Sequence, residues 1–445
     1  MKQHLSIQNQ MGMGFMAFAM FLGAGNLIFP PMAGYLAGEA VWQAAAGFLI
    51  TGVGLPLLGI VTISKVGGGF NSITEELPRW LVILLGSTIF LIIGPLYAVP
   101  RTAMVAYEVG ILPFLSESAN TTSRLAFCLC FFLIAWYLCL KPGKLLETVG
   151  ELITPALIIL LFILGVSPFV ISSDSPGDAL ENYSQTPFIS GFLDGYLTMD
   201  ALAALMFGVV IMTNLKSHGI TDPGKLFRYS ISTGVIAATG LGLVYLSLFY
   251  LGASSRGLIE MPDNGAQALA LYVEQLFGPF GNILLAAVVI LACLTTAIGC
   301  ITAASEYFEE LSERLSYAQL VSIISLSCVF FANLGLNQII DLFIPVLFLL
   351  YPICIILILL GLIRHLLPNP YLTYRATLAI AFLFSLFDAL KSSNINSLDI
   401  YLDTFNFLPG FNTHMGWLIP STLCLLVSIL LGRKQKTAEP SLSED

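Results

Sequence analysis

Gly23-Ala24-Gly25-Asn26-Leu27-Ile28-Phe29-Pro30-Pro31 interrupts the first long apolar run of the chain, and Gly191-Phe192-Leu193-Asp194-Gly195-Tyr196-Leu197-Thr198-Met199-Asp200 interrupts the sixth. Glycine and asparagine are poor helix formers, and proline disturbs a helix interior. In hydrocarbon an unpaired amide or carbonyl costs several kcal/mol, so such breaks survive only where protein or a cavity satisfies the freed groups. Entered from residue 11 at about 1.5 Å per residue, the Gly-Ala-Gly-Asn stretch lies roughly 18–23 Å deep. That is close to the middle of a hydrocarbon core about 30 Å thick. Entered from the opposite face near residue 188, Asp200 lies roughly 18 Å down. The first stretch also reads as a small-residue packing face, and the second as an outer loop followed by a helix capped by Thr198 or Asp200. A cap at mid-bilayer still requires a half-helix. Two interrupted helices, five spans apart and entering from opposite faces, point to an inverted repeat with its binding site at the crossing.

The rest of the chain supplies the setting. Of 445 residues, 57% are hydrophobic and only 10% charged, against roughly a quarter charged in an average soluble protein. A soluble fold could not hide so much apolar surface. Apolar runs at 11–37, 41–64, 80–108, 123–140, 148–171, 188–216, 227–251, 280–305, 316–334, 338–364, 372–391 and 414–432 read as twelve spans. They are continuously apolar rather than alternating, which selects helices over barrel strands. The expected fold class is therefore an all-α polytopic membrane protein with twelve transmembrane helices. The first run is too long and irregular for the h-region of a cleaved signal, so it reads as a retained span.

Charge sets the orientation. Of the 18 Lys and Arg, only Arg124, Arg256 and Lys391 fall in outer loops when the N-terminus is placed inside, and Arg101 sits within a span. The remaining fourteen fall on the inner side, as the positive-inside rule requires, which puts both termini in the cytoplasm. The formal charge of −9 and the absence of any basic cluster longer than Arg433, Lys434 and Lys436 argue against a nucleic-acid partner. The eight cysteines all lie in apolar runs without a C-x-x-C pair, so they read as buried hydrophobes. The four histidines sit at span ends or tails with no H-E-x-x-H. No nucleophile and base converge in the sequence, so the chain reads as no enzyme.

The two breaks suggest a particular chemistry. A half-helix N-terminus offers free N–H groups to a carboxylate, while half-helix C-termini and unwound carbonyls suit an ammonium or a bare cation. Thr198, Met199 and Asp200 lie at the second break. Phe15, Phe18, Phe21, Met199, Leu202 and Phe207 are candidate apolar walls. In the eighth span Thr295 and Thr296, with the carbonyl of Ala292 one turn earlier, can offer three oxygens to a hard cation; threonines in such helices also bond back to their own carbonyls. In the third span Pro95 and Pro100 bend the helix and leave Tyr97 deep enough to donate to a substrate carboxylate. Arg101, in the same span, either pairs with Asp341 of the tenth span as an outer gate or snorkels outward.

These stretches, with Ile93-Gly94-Pro95-Leu96-Tyr97-Ala98-Val99-Pro100-Arg101-Thr102-Ala103 and Gly416-Trp417-Leu418-Ile419-Pro420, resemble the bacterial branched-chain amino acid:cation symporter family over nearly the whole chain. The resemblance implies import of leucine, isoleucine and valine coupled to sodium across the bacterial cytoplasmic (inner) membrane, with no cofactor beyond the coupling ion. It implies a five-plus-five inverted repeat of the amino acid–polyamine–organocation type, divided as 1–172, 173–366 and a C-terminal pair of helices with tail at 367–445. By that similarity Gly23, Ala24, Gly25 and Asn26 contact the substrate, and Ala19, Leu22, Ala292, Thr295 and Thr296 hold sodium. Asp200 has no counterpart in the related pattern. The absence of Lys and Arg from 149–171 speaks for sodium over a proton. A proton-coupled or exchanging carrier of the same fold and a membrane-embedded sensor are the alternatives.

Overall fold

The first and third expected spans are divided, and the second runs through a wide turn. The computed structural model places α1 at Ile7–Phe21 and α2 at Ala24–Ala37, α3 at Val41–Leu49 and α4 at Leu55–Val66, and α5 at Arg79–Leu91 and α6 at Ala98–Gly110. There follow α7 (Thr121–Cys139), α8 (Ile158–Pro168), α9 (Pro187–Leu197) and α10 (Asp200–Ser217). The last six are α11 (Pro223–Ser254), α12 (Gly265–Leu311), α13 (Tyr317–Ala332), α14 (Leu336–Ile363), α15 (Pro370–Ser392) and α16 (Leu418–Ala438). The structure describes residues 5–438 apart from 68, 116–120, 141–157, 169, 171–175, 313, 394–405 and 407, with side chains as far as Gly432. The start of the fifth span, the first residues after it, and the inner charges Lys2, Lys141 and Lys144 lie outside what is described, as do the side chains of Arg433, Lys434 and Lys436.

No β-strand occurs among the described residues. Eight helical stretches there are long and apolar enough to cross a membrane. Their outward faces carry apolar side chains: Phe162, Leu326 and Phe330 are each about 70% exposed. Water would penalise such a surface, and hydrocarbon does not.

The packing of the broken helices is reciprocal. Both α1 and α2 lie along α11, whereas α9 lies along α3 and α10 along α4, and α6 packs on α12 across the centre. Each broken helix thus rests on the helix that follows the other one, as two inverted halves require.

Gly191 and Gly195 do not break the sixth span, contrary to the expectation that the interruption spreads over 191–200. Both lie inside α9 and serve close packing: an added Cβ would stand 2.0 Å from the Ala44 carbonyl oxygen at Gly191 and 1.9 Å from Thr51 Oγ1 at Gly195. Thr51 Oγ1 donates to the Phe192 carbonyl at 2.7 Å, so α9 is bonded to the wide turn Ile50–Gly54 between α3 and α4. Gly34 brings α2 equally close to α11, where a Cβ would meet the Phe249 carbonyl oxygen at 2.0 Å. Backbone cannot move aside as a flexible side chain can. Gly34→Ala is accordingly expected to destabilise the fold by about 1–3 kcal/mol, the range for overpacking, whereas Gly12→Ala, with nothing within 4 Å, leaves it unharmed. Thermal unfolding of the two variants in detergent checks this.

One stretch read as an outer connection is helical. The eighth span, expected from residue 280, is preceded by Gly265–Phe277, and the two parts of α12 meet at a kink where Gly278 has φ 63° ahead of Pro279. The third span bends where expected, with Gly94 at ψ −110° and a wide turn over Ile92–Leu96.

Candidate functional site at the two helix breaks

The first break falls at Leu22 and Gly23. Leu22 N–H donates to the Phe18 carbonyl at 2.9 Å and closes α1, Leu22 then turns to ψ 83°, and Gly23 is extended. The last carbonyls of α1 are left without helical donors. Gly23 N–H is captured by Asn26 Oδ1 at 3.0 Å, so one side chain of α2 caps its own first turn. The second break falls at Thr198 and Met199. Thr198 Oγ1 donates to the Gly195 carbonyl at 2.9 Å, and Met199 adopts the left-handed conformation (φ 64°, ψ 13°) before α10 begins at Asp200. An L-residue in that region is strained by roughly 1–2 kcal/mol, and such strain gathers at functional sites.

Asn26 joins the two breaks. Its Nδ2 donates to Asp200 Oδ2 at 2.7 Å and also contacts the Tyr245 hydroxyl, while Tyr245 OH donates to the same Asp200 oxygen at 2.6 Å. Asp200 is 3% exposed. Both bonds fall on Oδ2, so neither Asn26 nor Tyr245 occupies Oδ1.

Arg101 supplies the opposite charge. Nη1 donates to the Leu197 carbonyl at 2.6 Å and to Tyr97 OH at 3.0 Å. The guanidinium lies over the rings of Tyr97 and Phe29, 4.7 and 5.1 Å from their centroids. Nε has no partner among the described residues. Nη2 rests against the first break, where a Cβ on Gly25 would approach it to 2.6 Å. A Cβ at Gly25 would push the guanidinium away from the break.

A cavity opens between the breaks. Of the residues expected to contact a substrate, Gly23, Ala24, Gly25, Asn26, Thr198, Met199 and Asp200 line it, and Thr296 joins them. Of the candidate walls, Phe21, Met199 and Phe207 face it, the first and last in edge contact at 5.0 Å. Phe15, Phe18 and Leu202 are not among its walls: Phe15 is half exposed and Phe18 packs against Gly240.

The other expected site residues fare differently. Tyr97 does not line the cavity; it is fully buried behind Arg101 and orients it. Arg101 and Asp341 form no ion pair: Arg101 points inward to the breaks, where the Leu197 carbonyl and the Tyr97 hydroxyl hold Nη1, and Asp341 is exposed. Thr295 and Thr296 both donate to the Ala292 carbonyl, at 2.8 and 3.1 Å, which gathers three oxygens on one turn of α12. Thr296 also faces the first break, its Cγ2 3.2 Å from where a Cβ on Gly23 would stand. No contact brings Ala19, Leu22 or Thr295 to the cavity wall.

A family model described as branched-chain amino acid transport protein matches residues 6–435. The chain belongs to this family. It is 44% identical over 430 residues to the branched-chain amino acid transport system 2 carrier protein of Pseudomonas aeruginosa, covering 97% of each chain. It is 41% identical to the branched-chain amino acid permease BrnQ of Escherichia coli K12, covering 97% of this chain and 98% of that one. Identity to the permease BraB of Bacillus subtilis is 40%, over 97% of each. As a family member the chain is a multi-pass membrane transporter and not an enzyme. Its fold is that of Mhp1, a nucleobase-cation-symport-1 family transporter. The inward-facing structure of Mhp1 superposes with TM-score 0.61 over 98% of this chain and 92% of that one, at 15% identity. The closed structure with bromovinylhydantoin bound gives 0.60, at 16% identity and over 98% and 94%.

Tyr245 is the site residue that the sequence did not reveal. A single hydroxyl in the middle of α11 carries no periodic signal, and only its contact with Asn26 and Asp200 marks it out.

Proposed function

We propose that the protein is a secondary active symporter that imports leucine, isoleucine and valine with sodium, alternating access around the cavity at the two breaks. The setting is the bacterial cytoplasmic membrane, with twelve spans, both termini inside, and repeats at 1–172 and 173–366. The observation that carries the reading is the pairing of one buried cation, Arg101, with one buried carboxylate, Asp200, in a single cavity. A zwitterion satisfies both at once. Its carboxylate faces the free edge of Arg101 and the Gly25 backbone, its ammonium faces Asp200 Oδ1 and the last carbonyls of α1, and Met20, Phe21, Ile93 and Phe207 receive an aliphatic side chain. The names of the family and of the relatives in three bacteria support a branched-chain substrate.

Sodium finds its oxygens on α12. Ala292 carbonyl, Thr295 and Thr296 are already gathered on one turn, and Thr296 faces the unwound segment of the first span. This cluster supplies the coupling-ion ligands, so ion and substrate both draw the first break toward one closed state. Their affinities are then reciprocally coupled. Thr296→Ala is expected to raise the sodium concentration for half-maximal uptake by at least tenfold, with leucine binding at saturating sodium changed less than threefold. Unchanged sodium activation would remove the assignment.

Proton coupling is the competing reading, and Asp200, a buried carboxylate in the cavity, favours it. Leucine uptake into proteoliposomes at fixed pH, with an inward sodium gradient or with sodium replaced by choline, separates the two. Accumulation that needs sodium upholds the proposal. Accumulation driven equally well by a proton gradient without sodium overturns it.

A further inference from the structure

Asp388 lies outside the site just described, near the end of α15, and is fully buried. Both its carboxylate oxygens lack a hydrogen-bond partner among the described residues, and so do Tyr196 OH and Trp417 Nε1, themselves 0% and 1% exposed. These groups are complementary, one double acceptor and two donors. They come from three elements: α15, the last turn of α9, and the residue before α16. They are also neighbours. The amides of Gly416 and Trp417 face the Asp388 carboxyl group, the Tyr196 hydroxyl lies beside Trp417, and Asp388 is near enough to act on that hydroxyl by its charge. A Cβ on Gly416 would stand 3.1 Å from Asp388 Oδ1, so glycine there lets the backbone approach the carboxylate.

Asp388 forms no ion pair among the described residues. Lys391, one turn on, donates to Asn412 Oδ1 at 2.9 Å and lies over the Phe411 ring. The His414 ring stacks on Phe348, and its Nδ1 lies 3.3 Å from the backbone oxygen of Asp388 rather than its carboxylate. Leaving buried polar atoms unpaired is unfavourable, because each has given up its hydrogen bonds to water. A fold that keeps three such groups side by side gains that back in any state that closes the gap. Tyr196 is well placed to transmit the change: its ring stacks on Tyr351 at 4.3 Å, and the next residue, Leu197, presents the carbonyl that holds Arg101.

We infer that Asp388 is a positioning residue for α9: during the transport cycle its carboxylate accepts hydrogen bonds from Tyr196 OH and Trp417 Nε1, and thereby sets the half-helix whose end holds Arg101. The last two spans, outside the ten-helix repeat, thus act as a latch on the outer half of the site. The inference rests on the transport reading above for its effect on flux, but not for its effect on α9.

Two variants test it, Asp388→Asn and Tyr196→Phe, the second removing one hydroxyl and keeping the stacked ring. In proteoliposomes each is expected to lower the maximal leucine uptake rate at least tenfold while the equilibrium leucine Kd stays within threefold, and the double variant is expected to be no slower than the slower single one. Amide hydrogen exchange of peptides covering 187–197, in protein without substrate, is expected to quicken at least fivefold while α12 is unchanged. A wild-type maximal rate in Asp388→Asn, additive losses in the double variant, or unchanged exchange over 187–197 would each overturn the latch. Wild-type protein that takes up no leucine would instead overturn the transport reading, and the exchange measurement would still decide the latch.

Discussion

Asp200→Asn is expected to weaken leucine binding by about 2–5 kcal/mol, the range for losing one partner of a buried charge pair. At 1.4 kcal/mol per tenfold, that is roughly thirtyfold to several thousandfold in Kd. The substitution keeps the size of the side chain and an oxygen to accept from Tyr245 and Asn26, so the fold should survive and thermal unfolding should change little. What disappears is the negative charge facing the substrate ammonium. A ligand that lacks the amine gives the sharper readout. Wild-type protein should prefer leucine to 4-methylpentanoate by a large factor, and in Asp200→Asn that preference should collapse. If the variant keeps the wild-type preference, the ammonium is held elsewhere and the charge-pair account of the cavity fails.

Arg101→Lys carries the second large effect. Lysine keeps the charge but loses the planar fork. Arg101 uses that fork to hold the Leu197 carbonyl and Tyr97 OH through Nη1 while turning another edge to the cavity. A single ammonium cannot do both. Leucine affinity is expected to fall at least about a hundredfold, within the same range of buried charge-pair losses. The diagnostic ligand is now 3-methylbutylamine, which lacks the carboxylate. Its disadvantage relative to leucine, large in the wild type, should shrink in Arg101→Lys and vanish in Arg101→Ala. Isothermal titration of purified protein with both ligands measures this. An undiminished preference for leucine would place the substrate carboxylate away from Arg101.

These two side chains also mark where reading the sequence stops. Depth along a helix is a matter of counting at a fixed rise per residue, so the mid-membrane position of Gly23–Asn26 and of Asp200 is legible without coordinates. So is the logic that a break there needs a cavity. The direction in which a side chain points is a different matter. In a soluble helix the polar face announces itself, but a membrane helix meets apolar surroundings on both sides, lipid being as apolar as its neighbours. Arg101 could therefore be read as facing Asp341 or the outer surface, and it faces the break instead. Phe15 and Phe21, six residues apart on α1, were indistinguishable as walls, yet one is half exposed and the other lines the cavity. Gly191 and Gly195 looked like breakers because glycine is a poor helix former. In place, the missing Cβ atoms serve contact with Ala44 and Thr51.

The sequence by itself determined that this chain lives in hydrocarbon as a set of helices, and it pointed to breaks near the middles of the first and sixth. Those conclusions follow from composition, run length and the impossibility of leaving backbone groups unpaired in lipid. Only the tertiary structure decided which polar groups converge: Asn26 bridging the cuts, Tyr245 and Asn26 sharing one oxygen of Asp200, Arg101 turned inward over Gly25, and Asp388 brought beside Tyr196 and Trp417. The reason is azimuth. Rotation of each rod about its axis is set by the interlocking of neighbouring helices, and where every face is oily the residues alone carry no mark of it.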